Sequence, residues 1–344
     1  DQIVESELSY LSNYQRVIIN SGKISNKGWE ISVSGVPVKV KNFEWKTIFN
    51  WSKNNSMVES LPEGIDKIQI GSGVYNVKSY AEVGKPYGAI YAKTFKRDAE
   101  GYILCQLDGS PKEGQDYEYL GCVQADWRGG WNNVFRLGNF SFSVMFDFQK
   151  GGKFFSQTSI QSSVDGQSVK SLEGRDADFF SRKILGESDE ERYGFMRPQN
   201  ANTPTANGQI YPDWGRPKGV VLPNCRYDED VEGLAGQQVL GYCTPERYWM
   251  HYTSRDISRF IYDASYVKLR EITVSYDLPK KWLRKTPFQT FRVAAVGRNI
   301  ATLFANTPHG LDPQATSTTG NAQGFERGFN LPSATYGFDI KVSF

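Results

Sequence analysis

The residue types that most often carry catalysis are present in this chain, but not at catalytic spacings. There is no Gly-x-Ser-x-Gly elbow, no phosphate-binding P-loop and no His-Glu-x-x-His. The two histidines, His251 and His309, stand far apart, so a His-based metal cluster is not expected. Asp98-Ala99-Glu100-Gly101 and Tyr227-Asp228-Glu229-Asp230 invite a calcium reading, yet neither follows the twelve-residue calcium-loop pattern. They read better as turns and solvated loop. Asp189, Glu190 and Glu191 are adjacent in sequence and read as a loop face, whereas glycoside hydrolysis needs two acids facing each other across a cleft. No catalytic residue, metal or cofactor is therefore expected.

Binding chemistry has better candidates. Tyr211, Trp214, Tyr248, Trp249 and Tyr252 fall in or near one long polar stretch. Aromatic rings with polar tips stack on sugar rings or grip peptides when they are exposed. The alternative is that they pack the stretch onto itself or onto a partner. Four cysteines, Cys105, Cys122, Cys225 and Cys243, lack any Cys-x-x-Cys spacing, which argues against zinc and thioredoxin-like sites. In an oxidising compartment they are possible disulfides. The sequence-local pairs are Cys105 with Cys122 and Cys225 with Cys243, but all three pairings stay open, as do four free thiols.

The elements that must hold these residues read as strands. The last eleven residues alternate strictly: Tyr336, Phe338, Ile340, Val342 and Phe344 on one face, Thr335, Gly337, Asp339, Lys341 and Ser343 on the other. Ending on an aromatic after such alternation is how outer-membrane barrels end, one face toward lipid and one toward a polar lumen. Tyr336, Phe338 and Phe344 are the candidate barrel insertion signal. An ordinary sandwich strand is the competing reading. Residues 140–149 place Phe140, Phe142, Val144, Phe146 and Phe148 on one face and Ser141, Ser143, Asp147 and Gln149 on the other, with Met145. Facing water, that stripe would invite aggregation. Phe43, Trp45, Phe49 and Trp51 share a face with Thr47, and Trp29, Ile31 and Val33 alternate with Glu30, Ser32 and Ser34 before a bend at Gly35 and Pro37. Trp45, Trp51 and Trp131 suit anchoring at a bilayer interface better than ligand contact. The phase slips between Leu269 and Ile272, which predicts a β-bulge near Arg270 and Glu271. Leu278-Pro279-Lys280-Lys281 predicts a turn before the strand of Phe291, Val293 and Ala295. Tyr80 to Arg97 and Trp131 to Leu137 are weaker candidates. Period-two alternation predicts roughly nine to eleven strands.

Between these strands lies an irregular stretch, about residues 161–257, rich in turn chemistry such as Thr203-Pro204 and Pro212-Asp213-Trp214-Gly215. A second runs from Asn306 to Pro332. Short helices are expected near 174–185 and 245–251. Loops this long count against a compact soluble domain but are ordinary on the outer side of membrane barrels. Aromatics are 14% of the chain although its mean hydropathy is negative, and no run of about 18 apolar residues exists to make a spanning helix. A net charge of +2 gives no reason to expect nucleic acid. The chain starts Asp1-Gln2-Ile3 without a basic and apolar leader, and is expected to be a trimmed product or a fragment.

Several segments together resemble the C-terminal part of SusC/RagA-family TonB-dependent outer-membrane transporters. They are Asn26-Lys27-Gly28-Trp29-Glu30; Gly84-Lys85-Pro86-Tyr87-Gly88-Ala89-Ile90-Tyr91 followed by Arg97-Asp98-x-x-Gly101; Asp126-Trp127-x-Gly129-Gly130; Asp263-Ala264-Ser265-Tyr266-Val267-Lys268-Leu269-Arg270-Glu271 with Tyr276-x-Leu278-Pro279; Gly297-Arg298-Asn299-Ile300; and Leu311-Asp312-Pro313. Gln314 departs from the Glu of many members. The resemblance implies an all-β fold: residues 1–344 as the C-terminal part of a 22-stranded antiparallel transmembrane β-barrel, with a long extracellular loop at about 161–257. It implies further parts outside this chain: an N-terminal plug, the preceding barrel strands, and contact with TonB through that part. An isolated open wall would leave backbone edges unpaired in hydrocarbon, at several kcal/mol per group. It also implies a SusD-like surface lipoprotein as lid, outer-membrane lipid as solvent, a Bacteroidetes-like Gram-negative source, and import of glycans or oligopeptides. The competing readings are a non-transporting surface protein that binds glycan, and a secreted all-β enzyme.

Overall fold

A computed structural model of the chain describes residues 2–7, 16–172, 220–243, 245–308, 310–314, 323–328 and 333–344. The chain begins with β1 (Gln2–Glu7), β2 (Arg16–Val40) and β3 (Phe43–Ser60). It then leaves the sheet for β4 (Lys67–Ser72), β5 (Lys78–Glu82), β6 (Ala89–Ala92), β7 (Ile103–Cys105) and β8 (Glu118–Cys122). It returns as β9 (Trp127–Leu137) and β10 (Phe140–Lys150), then leaves again for β11 (Lys153–Ser156), helix α1 (Gln157–Val164), β12 (Val220–Tyr227), β13 (Gln238–Cys243) and β14 (Ile261–Asp263). It returns once more as β15 (Tyr266–Asp277) and β16 (Thr290–Ala305), and after β17 (Phe325–Glu326) closes on β18 (Thr335–Ser343).

Eight of these strands form one sheet in the order β1-β2-β3-β9-β10-β15-β16-β18, and every pairing in it is antiparallel. Alternation sorts its side chains. Val38, Trp45, Phe135, Phe142, Val274, Ala295 and Phe338 lie in one row across seven strands of that sheet. Trp45, Phe135 and Phe142 stack in sequence, with ring centroids 5.9 and 6.2 Å apart. A second row brings Trp131 and Phe146 to 5.9 Å. These pairs are the sheet's lateral stabilisation on its apolar face. Nothing among the described residues covers that face: Trp29 is 73% and Phe338 87% exposed. The opposite face carries Ser32, Asn50, Asn132, Ser143, Arg128 and Gln149, joined by Ser32–Asn50, Asn132–Ser143 and Arg128–Gln149 hydrogen bonds.

The two edges across the strand ends differ. At one edge the connections are short: Lys41-Asn42, Gly138-Asn139, and the segment 278–289 with a helical turn at Lys280–Leu283. Gly138 takes a positive φ there, and its N–H bonds the carbonyl of Asn42 in the neighbouring turn at 2.8 Å. Phe344 ends the chain at this same edge. At the other edge emerge three large excursions, 61–126, 151–265 and 306–334. They fold together. Phe325 and Val77 share a buried core with Ile90, Phe155, Ile160 and Phe260, so all three excursions contribute. A second core holds Phe95, Ile103 and Cys105 of the first excursion with Val220, Tyr248 and Trp249 of the second. The excursions are a roof with its own two cores.

The alternation reading matches the sheet, with three differences. The described residues form eighteen strands, more than the nine to eleven that alternation suggests, and eight of them make the sheet. Tyr80 to Arg97 joins the roof, where β4, β5, β6 and β8 pair in a separate four-stranded sheet, because its strands are only four or five residues long. The 161–257 stretch, which read as irregular, is partly built: β12 pairs antiparallel with β13 and parallel with β7, a ladder between distant segments that local patterning cannot register. The expected short helix at 245–251 is present as a helical turn, Pro245–Arg247, widening over Tyr248–Tyr252. The helix expected at 174–185 lies outside the described residues.

A polar trough at the junction of wall and roof

Where the polar face meets the roof, a cavity of about 410 Å³ opens, lined among others by Arg128, Asp147, Gln149, Lys153, Tyr266 and Gln314. A second, of about 280 Å³, adjoins it and shares Val123, Arg128 and Gln323 while adding Ser52, Asn54 and Gln124. Strand periodicity explains the lining: Ser52, Arg128, Gln149 and Tyr266 are register partners on β3, β9, β10 and β15.

The bulge expected near Arg270 exists and shapes this site. Leu269 pairs with Phe146 and Glu271 with Met145, leaving Arg270 as the extra residue. On the other side Asn299 and Ile300 oppose it, and Asn299 takes φ 50°, a conformation that Asn tolerates. Arg270 donates to Asn299 Oδ1 at 2.6 Å, and its Nε donates to Asp147 Oδ2 at 3.1 Å, with a closer contact from Nη2. Lys268, only 4% exposed, donates to both oxygens of Asp312 at 2.6 Å. Gln314 fills the remaining space. Its Oε1 accepts from Lys268 at 2.9 Å and Arg270 at 2.8 Å, and its Nε2 donates to the Tyr266 hydroxyl at 2.6 Å. Two cations and two carboxylates therefore meet around a neutral amide. Charges this poorly solvated persist only when paired in this way.

Asp263 and Ser265 form the turn into β15. Asp263 accepts from the Ser265 backbone N–H at 2.9 Å and from its hydroxyl, and from Asn306 at 3.3 Å. Burial opposes ionisation of this carboxyl, but those hydrogen bonds outweigh it and hold its pKa at about 2. Asp98 is likewise a turn former: its Oδ1 accepts from the N–H groups of Glu100 and Tyr102, and its Oδ2 from Arg226. Gly88, at φ 87°, belongs to another of the recurrent segments, and a Cβ there would meet Val123 Cγ2 at 2.7 Å.

The aromatic candidates fare unequally. Tyr211 and Trp214 lie outside the described residues. Tyr248 and Trp249 are 1% and 0% exposed, packed edge to face at 5.1 Å in the roof core. They offer no ring face to a ligand. The reason is tertiary: the β7–β12–β13 sheet closes over them, which an exposed-loop reading could not anticipate. Tyr252 is buried in the same core. Tyr336, Phe338 and Phe344 stand exposed on the apolar face and at the end of β18, Phe344 resting edge-on against Phe288 at 5.3 Å. Trp45 and Trp131 donate their indole N–H to Asn133 Oδ1 at 3.0 Å and Thr47 Oγ1 at 2.9 Å, satisfying two polar groups within the apolar face.

The cysteines regroup. Cys105 lies beside Cys225 and near Cys243 in one apolar core, not beside Cys122. Contact with the Cys225 thiol and burial push the Cys105 thiol up, and burial does the same at Cys243. Cys122, elsewhere in the roof, donates to the Tyr87 carbonyl at 3.4 Å. Neither sequence-local pair is bridged. Cys225 faces Val239 and Cys243 faces Val220, so the β12–β13 register keeps that pair apart.

With this geometry in view, comparison with known proteins is informative. No family model matches the chain. TonB-dependent receptor P3 of Formosa agariphila is 23% identical across 98% of this chain, which corresponds to 30% of that protein. TonB-dependent receptor P39 of the same organism is 21% identical over 42% of the chain and 18% of its own length. The chain is similar throughout to TonB-dependent receptors. It also superposes on the RagAB peptide transporter over 99% of its length and 32% of that chain, with a TM-score of 0.57 at 15% identity. The RagAB peptide importer in its closed-closed state gives the same TM-score at 16% identity. The eight-stranded antiparallel sheet thus has the fold of the corresponding part of the RagAB structures. This receptor-like chain spans about a third of the length of the proteins it matches. No helix among the described residues is long and apolar enough to cross a membrane.

Proposed function

We propose that the chain forms part of the wall and the extracellular roof of a TonB-dependent outer-membrane importer. The observation that carries this reading is the two-sided wall with two unlike edges. One face is mainly apolar and aromatic, the other is polar, short turns gather with Phe344 at one edge, and a built roof stands at the other. Lipid, lumen, periplasm and exterior follow in that order. The remaining strands of a 22-stranded barrel and the plug complete the lumen, and TonB engages through the plug part. A SusD-like surface lipoprotein sits on the roof as lid. Outer-membrane lipid of a Bacteroidetes-like bacterium solvates Trp29, Phe338 and their row neighbours. Tyr336, Phe338 and Phe344 act as the insertion signal on the last strand.

The cargo class in this reading is glycan or oligopeptide, captured between lid and roof and drawn past the polar trough. The RagAB structures, described as a peptide transporter, support a transport role. Tyr211 and Trp214 remain the aromatic candidates for ligand contact. The receptor-like relatives favour import over enzymatic work.

The test is the composition of the complex. Intact mass and N-terminal sequencing of every polypeptide that copurifies from detergent-solubilised outer membrane should reveal a plug-bearing segment joined to or paired with this chain, and a lipoprotein lid. A monodisperse 344-residue chain that stays soluble without detergent would overturn the reading. A plugless barrel wall that still binds glycan would favour the surface-receptor alternative.

A further inference from the structure

We propose that the trough is a subsite for a carboxylate-bearing unit of the cargo, with Arg128 as its counter-ion; this rests on the import reading. The charges lining the larger cavity cancel in pairs except at Arg128. Asp147 is held by Arg270, and Lys153 by Asp263 at 3.3 Å. Arg128 has no carboxylate partner among the described residues. Its Nε donates to the neutral Gln149 Oε1 at 3.1 Å. The nearest acid in sequence, Asp126, has its carboxylate against Gly151 and forms no ion pair with Arg128. The chain-side nitrogen, Nε, is thus fixed by the wall, and the two terminal nitrogens of the guanidinium remain for a ligand. That fork matches a carboxylate in two parallel hydrogen bonds, which a lysine at the same place would not reproduce.

Position and company support the same ligand chemistry. Arg128 is the second residue of β9, at the roof edge, and it borders both cavities, so a descending ligand meets it whichever way it enters. Around it stand neutral hydrogen-bonding groups: Ser52, Asn54, Gln124 and Gln323 on one side, Gln149 and Gln314 on the other. Amides and hydroxyls both donate and accept, and so suit sugar hydroxyls or peptide amides beside the charged group. The larger cavity, at about 410 Å³, falls in the range of small-ligand pockets and has room for one sugar ring or a short peptide segment. The carboxylate has two chemical sources, a uronic acid or an acidic peptide.

The experiment uses the complete receptor in detergent and isothermal titration with four probes: a galacturonic acid tetramer, a neutral galactose tetramer, the tetrapeptide Ala-Asp-Ala-Glu and its amide counterpart Ala-Asn-Ala-Gln. One acidic probe should bind at least tenfold tighter than its neutral counterpart, and whichever does so names the source. Arg128→Gln should erase that preference, so that the variant binds the acidic probe and its neutral counterpart within twofold of each other, and Arg128→Lys should restore only part of it. Near-UV circular dichroism of the variants checks that the wall is intact. Equal affinity for acidic and neutral probes, no binding of either acidic probe, or a preference that survives Arg128→Gln would each overturn the proposal. The copurification of plug and lid is read separately, so import can stand while this subsite falls.

Discussion

Asp228 is the residue on which the joint between the first two excursions can be measured. Its carboxylate is 4% exposed and accepts from Lys112 at 2.8 Å and Lys96 at 2.9 Å, both on the first excursion. Burial opposes its ionisation, but the two ammonium groups prevail and lower its pKa from 3.8 to about 2. That difference corresponds to roughly 2–3 kcal/mol, most of it favouring the joined state. Lys96 is half exposed, and solvent screening trims the figure to about 2 kcal/mol. Asp228→Asn keeps the shape and removes the charge. Amide hydrogen exchange at pH 7 in the β7 and β12 peptides should therefore accelerate about thirtyfold, since 1.4 kcal/mol is a factor of ten. The wall strands should be unchanged.

The pH dependence has a definite sign. A carboxyl whose folded pKa is depressed contributes stability above its unfolded value and loses it as the pH falls through the folded value. The gap in roof melting temperature between wild type and Asp228→Asn should thus be constant from pH 8 to 5, narrow below about 4 and close near pH 2. Near-UV circular dichroism follows it. A variant whose β7 and β12 exchange changes less than threefold, or a gap that stays open at pH 2, would refute the reasoning that this ion cluster holds the excursions together.

Trp249→Ala empties a fully enclosed site and should cost the roof about 3–5 kcal/mol in exchange-derived stability, whereas Trp249→Phe should leave ligand affinity unchanged, because the ring faces no ligand. Trp45→Phe strands the Asn133 amide oxygen in the apolar face and should cost about 1–3 kcal/mol in urea unfolding from lipid vesicles; adding Asn133→Leu should recover most of that loss. Deleting Phe344 removes the terminal aromatic of β18 and should lower the outer-membrane fraction severalfold on quantitative immunoblots without changing the synthesis rate.

How much was legible in the sequence follows from what periodicity can report. Alternation reveals that a segment has two unlike faces, so β10, β15 and β18 are readable residue by residue, and the phase slip at Arg270 marks the bulge. It does not reveal which sheet a strand joins. Residues 80–97 alternate weakly and pair in the roof, where Phe155 and Phe325 from distant excursions cover them. Nor does it reveal ladders between far-apart segments: Tyr227 aligns with Cys105 in a parallel pair, which draws Cys225 toward Cys105 and away from the sequence-local arrangement. Tyr248 and Trp249 misled for the same reason, since a polar neighbourhood in sequence became a buried one in space. Arg128 carried no signal of its own. It emerges only when Asp147 and Lys153 are seen to be paired with Arg270 and Asp263.

The recurrent segments that carried the family resemblance are separate in sequence and largely one object in space. Asp263 and Ser265 turn the chain into β15, Lys268 and Arg270 present two cations from its polar face, Asn299 supplies the left-handed residue opposite the bulge, and Asp312 brings the third excursion onto the junction. Strict alternation already puts Arg270 on the polar face with Lys268, and the bulge lets Glu271 take that face as well, so that Ile272 and Val274 resume on the apolar side. The charge count then accounts for Gln314. Lys268 and Arg270 are already balanced by Asp147 and Asp312, so a neutral amide that accepts twice and donates once satisfies every neighbour. A glutamate there would add a third negative charge and lose the donor to Tyr266, and it would suit a junction that carries one more cation than this one does.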